Sequence, residues 1–147
     1  MRARIISEAD VEKPVVAYAR SKGVLVVKQT HQGARSHPDR AFYFAGGRLL
    51  QIEFKAPGKL PTPLQAVTIK KLIGLGFSVA IIDNEDLGIQ MIDDYFHYMS
   101  RGLNKDTISE SVAMCDKVLN KERIKKIEAR PGTGRKIHAF VDEVYGV

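Results

Sequence analysis

The run RAFYFA-GG-RLLQIEFKA, residues 40–56, constrains the fold of this chain more than any other stretch. Two β-rich segments flank a Gly-Gly pair, and glycines supply the positive φ angles of a tight hairpin turn. The second arm carries an acid and an amine two residues apart, Glu53 and Lys55, in an otherwise apolar strand. Side chains alternate along a strand, so Glu53 and Lys55 share one face while Ile52 and Phe54 take the other. Along the strand the polar pair is about 6.6 Å apart. Asp39 precedes the first arm and, in a hairpin turning at 46–47, falls near the level of Glu53 and Lys55. A half-exposed strand with a solvated ion pair would be the bland explanation, but the flanks LLQI and FKA are unusually apolar for one.

The surrounding segments build a mixed α/β unit. EADVEKPVVAYARSKG reads as a helix with a Gly23 stop, capped by Asp10 so that Pro14 falls in the first turn, where backbone N–H groups lack partners. VLVVK, residues 24–28, is a β-branched strand, and THQGARSHPD is a loop. After the break PGKLPTP, Thr62 caps a helix that opens with Pro63 and runs through LQAVTIKKLIGLG. FSVAIID, residues 77–83, is the next strand. The order is α-β-β-β-α-β, and its last connection should be a right-handed crossover joining two parallel strands. Residues 1–84 are therefore expected to form the core, and residues 85–147 a helical C-terminal extension. In that extension LGIQMIDDYFHYMS and TISESVAMCDKVLNKERIKKIEA read as helices, whereas KIHAFVDEVYGV fits a short strand or a helix. Ile108, Val112, Cys115 and Leu119 form one stripe, a candidate interface if it does not pack on its own core.

Composition narrows the function. Hydrophobic residues make up 44% of the chain, enough for a real core. No apolar run is long enough to span a membrane, and MRARIISEAD lacks the apolar core of a signal peptide. The single cysteine excludes an internal disulfide, so a cytoplasmic protein is expected. The net charge of +6 favours an anionic partner. Its basic surplus lies in residues 1–84, with 13 Lys+Arg against 6 Asp+Glu.

The Asp39, Glu53 and Lys55 constellation suggests chemistry. Two carboxylates held close repel each other, and a divalent cation resolves that repulsion. Hard oxygen ligands favour Mg²⁺ or Mn²⁺, and a neighbouring lysine can hold a phosphate or orient a water. The four histidines show no tight spacing with the cysteine, so structural zinc is not expected.

With the first-helix acid, the Pro-Asp, Glu-x-Lys-Ala-Pro-Gly and the following Pro-x-x-x-Gln, residues 8–84 resemble the VRR-NUC domain. This is the virus-type replication-repair branch of the PD-(D/E)xK nucleases. Glu12 matches the acid of the family's first helix, Asp39 in HPDR its metal-binding acid, and Glu53 and Lys55 in IEFKAPGK its second acid and catalytic amine. Gln65 in PTPLQ matches the glutamine that opens the next helix, although T-x-x-Q is also a capping box. Lys28 lies where the family often has a basic residue. The family usually has Gly before Pro-Asp, where this chain has His37. The resemblance implies a restriction-endonuclease-like mixed β-sheet flanked by helices, and a Mg²⁺- or Mn²⁺-dependent DNA endonuclease. Asp39, Glu53 and the backbone carbonyl of Phe54 would hold the metal, with Glu12 contributing. Lys28, Arg35, Arg40, Arg48 and Lys59 would contact DNA phosphates. Stand-alone phage and bacterial members resemble dimeric junction-cutting enzymes, so branched DNA and a homodimer are the implied partners. A nuclease-fold module that binds DNA without cutting is the alternative.

Overall fold

The structure is a computed structural model that describes residues 2–30, 36–97 and 105–129. His31, Arg35, residues 98–104 and the whole of 130–147, including GTGRK and KIHAFVDEVYGV, lie outside the described residues.

Helix α1, Glu8–Ser21, starts one turn earlier than the Asp10 cap predicted from sequence. Ser7 is the cap: its hydroxyl accepts the Asp10 N–H, and Asp10 Oδ2 accepts the Ser7 N–H at 2.8 Å. Both side chains are therefore used in one reciprocal box, with Asp10 at its third position. Pro14 consequently lies inside the helix rather than in its first turn. Interior proline costs about 3 kcal/mol. Burial of Val11, Val15 and Val16 offsets this, at roughly 1.5–3 kcal/mol for each side chain fully buried.

Strands β1, Leu25–Lys28, β2, Arg40–Phe44, and β3, Arg48–Phe54, form an antiparallel meander. Gly46 and Gly47 turn it, with φ of 80° and 72°. Helix α2, Pro63–Gly74, begins at the Thr62 cap with Pro63 first, as the sequence predicts. It carries the chain to β4, Ser78–Ile82, which pairs parallel with β3. The sheet order is β1-β2-β3-β4. The α-β-β-β-α-β order and the parallel crossover thus agree with the sequence reading. This mixed sheet flanked by helices is consistent with a restriction-endonuclease-like fold.

Alternation divides the sheet between two cores. Phe42, Leu50, Ile52, Phe54, Ala80 and Ile82 face α1 and helix α3, Glu85–His97, which adds Met91, Ile92 and Tyr95. Val79 and Ile81 face α2 and helix α4, Lys105–Ala129. Asn84 Oδ1 accepts the Leu87 N–H and so anchors the start of α3. Gly88 lets α3 approach α1: a Cβ there would lie 2.6 Å from Val15 Cγ2.

The stripe on α4 is an internal surface. Cys115 is fully buried in the second core, and Leu119 packs against it. The buried line is Ser111, Cys115 and Val118, while Val112 is only half-buried. Through Cys115 and Leu119 the stripe packs on its own core, the alternative left open from sequence. No helix among the described residues is long and apolar enough to cross a membrane.

Candidate active site

The hairpin register pairs Arg40 with Ile52, so Asp39 enters the sheet beside Glu53. Its side chain turns toward β3, where Asp39 Oδ2 accepts the Phe54 N–H at 3.1 Å. Glu53 lies next to Ile81 of β4 and is 1% exposed. Lys55 follows immediately after β3, its backbone N–H donating to the Ile82 carbonyl at 2.9 Å. Its ammonium lies 3.3 Å from Glu53 Oε1. Strand alternation for Glu53 and Lys55, and the hairpin register for Asp39, therefore bring the three groups to one end of β3.

Gln65 joins them from α2. Its Nε2 donates to Glu53 Oε1 at 2.8 Å, while its Oε1 accepts the Thr62 N–H at 2.9 Å. The side chain closes the capping box and reaches the buried acid at once. Glu53 Oε1 is thus engaged twice, whereas Glu53 Oε2 is buried with no hydrogen-bond partner among the described residues. Burial, followed by the charge of Asp39, pushes the Glu53 carboxyl up to about 7 against the pull of Lys55. Burial also raises Asp39, in spite of the Phe54 N–H that favours its charged form.

The first helix supplies two acids one turn apart, Glu8 and Glu12. Glu12 Oε1 is held by Arg40 Nε at 2.5 Å, with both side chains largely buried. Glu8 carries no ion pair of this kind among the described residues. Burial and the charge of Asp39 raise its carboxyl, and its charge in turn reaches Glu53. Sequence reasoning missed Glu8. The available signal was its i, i+4 spacing from Glu12, which places both acids on one helix face.

The remaining basic residues divide. Arg40 flanks the cluster through Glu12. Lys28 ends β1 as the register partner of Arg40, and Lys59 is exposed in the turn after Lys55. Arg48 does not join them. It sits at the hairpin end of β3, donates to the Tyr95 and Ala45 carbonyls and stacks over Phe44 and Tyr95.

Among the described residues, no group of three or more His, Cys, Asp or Glu side chains is placed to hold a metal ion. A Mg²⁺-type site does not require one, because such ions keep several waters and take one or two carboxylates. The unpartnered, buried Glu53 Oε2 beside a second carboxylate fits a hard cation, since leaving such an oxygen dry and unpaired is costly.

Over 84 residues, 57% of its length, the chain is 37% identical to the protein named "Putative nuclease p44" of Acyrthosiphon pisum secondary endosymbiont phage 1. The match takes in 90% of that protein. No family model matches the chain.

Proposed function

This chain belongs to the family of the phage protein named "Putative nuclease p44", and on that premise we propose that it is a metal-dependent endodeoxyribonuclease. The observation that carries the reading is the Glu53 carboxylate. It is buried, has one unpartnered oxygen, and is flanked by Asp39, Lys55 and Gln65. A structural acid would have its second oxygen satisfied or solvated.

Asp39 and Glu53 would hold Mg²⁺ or Mn²⁺ with the Phe54 carbonyl, and Glu8 in place of Glu12 would contribute from α1 through a water. Such an ion, when bound, supplies Lewis-acid polarisation of the phosphate and lowers the pKa of water. Lys55 orients the attacking water and counters charge developing on the phosphate. The water oxygen bonds to phosphorus, one phosphorus–oxygen ester bond breaks, and the departing oxygen takes up a proton. Gln65 holds Glu53 Oε1, which leaves Oε2 as the oxygen that would take the cation. Glu12 holds Arg40, which with Lys28 and Lys59 contacts the DNA backbone without reading its sequence.

The ordered set Asp39, Glu53, Lys55 and Gln65 supports assignment to the VRR-NUC branch of the PD-(D/E)xK nucleases, with residues 1–84 as its nuclease core. Branched DNA, such as a four-way junction, is the proposed substrate. Two symmetric cuts in a junction need two sites related by a two-fold axis. We therefore propose a homodimer whose interface lies away from the buried stripe of α4.

Cleavage of labelled duplex, flap and four-way junction DNA in Mg²⁺, Mn²⁺ and EDTA tests this reading. Metal-dependent products from wild type and none from Lys55→Ala are expected. Binding without cleavage under every condition would leave a nuclease-fold DNA-binding module instead.

A further inference from the structure

We infer that Gln29 and Gln51 are positioning residues that clamp the Pro38–Asp39 segment and fix Asp39 relative to Glu53. The inference rests on the reading of Asp39 as a metal ligand. Neither glutamine belongs to the constellation of acids and lysine.

Gln29 bonds this segment twice and Gln51 once. Its backbone N–H donates to the Asp39 carbonyl at 2.9 Å. Its side-chain Nε2 donates to the Pro38 carbonyl and to Gln51 Oε1, each at 3.1 Å. A primary amide has two N–H donors, so these two bonds use its full donor capacity. Gln51 lies on β3 two residues before Glu53, on the same face, and is 6% exposed. The pair therefore ties the strand that carries Glu53 to the segment that carries Asp39.

The packing around the pair suits this role. β2 lies between β1 and β3, and its residue in register with Gln51 is Ala41, itself 2% exposed. A small side chain there leaves room for two long amides to meet across the middle strand. Pro38 is fully buried, and Ser36 Oγ accepts a 2.7 Å bond from Thr68 Oγ1 of α2. The segment is thus braced from β1, β3 and α2 together. Gln51 is buried and Gln29 half-buried, so the amide pair costs desolvation that an apolar pair would avoid. Its retention here is accounted for by what it holds.

The test uses Gln29→Met and Gln51→Met in the full chain, which keep side-chain length and remove the amide bonds. Three quantities are read: amide exchange of the Phe54 N–H, Mn²⁺ affinity from loss of the free-ion EPR signal, and cleavage kinetics. Phe54 donates to Asp39 Oδ2, so its exchange reports directly on where Asp39 sits. We expect Phe54 protection to fall while Ile52 stays protected. Mn²⁺ should bind roughly 10–100-fold more weakly, as is typical when an outer-shell partner is lost. Turnover should fall with it, and KM for DNA should change by less than about threefold. Ala41→Leu, which closes the gap between the amides, should reproduce these effects. Loss of Phe54 protection in a chain whose wild type binds no Mn²⁺ would uphold the clamp and remove the metal reading. Unchanged Phe54 protection in both methionine variants, or a uniform loss across all strands, would overturn the clamp.

Discussion

Gln65 Nε2 lies 2.8 Å from Glu53 Oε1, while the other end of the same amide accepts the Thr62 N–H at 2.9 Å. One side chain therefore both starts α2 and holds the buried acid. The two roles separate by mutation. Gln65→Glu keeps an acceptor for the Thr62 N–H but sets a second carboxylate against Glu53. Its stability should stay within about 1 kcal/mol of wild type near pH 5, where carboxyl pairs can share a proton. Its cleavage rate should fall at least about tenfold at pH 7.5. Gln65→Leu loses both bonds and should lose stability as well, by about 1–2 kcal/mol. Urea unfolding alongside cleavage assays decides the matter; equal activity of Gln65→Glu and wild type would confine Gln65 to capping.

Glu53 gives a pH prediction with a definite sign. Its carboxyl is raised to about 7 by burial and by Asp39. The folded chain therefore keeps this proton at pH values where the unfolded chain has released it. Stability in EDTA should fall as pH rises from about 4.5 to 7, then level off. Glu53→Gln removes the titration. The variant should lose cleavage altogether, yet exceed wild type in metal-free stability at pH 8 by about 1–3 kcal/mol. Near pH 4.5 the two should converge. Mn²⁺ should stabilise wild type and leave the variant unmoved. Parallel stability–pH curves for the two proteins in EDTA would contradict this account of Glu53.

The two acids of α1 should respond differently. Both acids act on Asp39, but Glu12 is also paired with Arg40 at 2.5 Å, whereas the charge of Glu8 reaches Glu53. Glu8→Gln should lower cleavage at least about tenfold and shift the Mg²⁺ requirement upward, with little change in unfolding. Glu12→Gln leaves a largely buried guanidinium poorly paired. It should cost about 1–3 kcal/mol in stability and weaken DNA binding, with a smaller effect on the Mg²⁺ requirement. Reversal of the two Mg²⁺ titrations would return the metal role to Glu12.

Local chemistry explains which features could be read from sequence. Strand alternation put Glu53 and Lys55 on one face, and the Gly46–Gly47 turn set the register that brings Asp39 alongside. Both depend only on nearby residues. Thr62 and Gln65 were legible as a capping box for the same reason. Distant partners decided the rest. Glu8 and Glu12 share a helix face, and Arg40, 28 residues beyond Glu12, pairs with one of them and not the other. Arg48 reads as a surface cation until Tyr95, 47 residues later, supplies its carbonyl and ring. The stripe through Cys115 and Leu119 shows that one face of α4 is apolar, but periodicity cannot say whether α2 and β4 or another chain covers it.

The role of α4 supplies the last prediction. Ser111 Oγ accepts the Ile81 N–H at 3.2 Å, and Ile81 is the register partner of Glu53. Cys115 and Val118 close the second core over Ala66, Ile69, Val79 and Ile81. The helix thus backs the strand that lies beside the buried acid. Ser111→Ala should strand a buried N–H and cost about 1–3 kcal/mol. Ending the chain after residue 97 should do far more, because it uncovers a contiguous apolar face on α2 and β4. Such a chain should unfold at markedly lower temperature and self-associate through that face. Calorimetry and light scattering of the two proteins beside wild type give the answer. A shortened chain that stayed monodisperse, with an unchanged melting temperature, would mean that α4 contributes nothing to the nuclease fold.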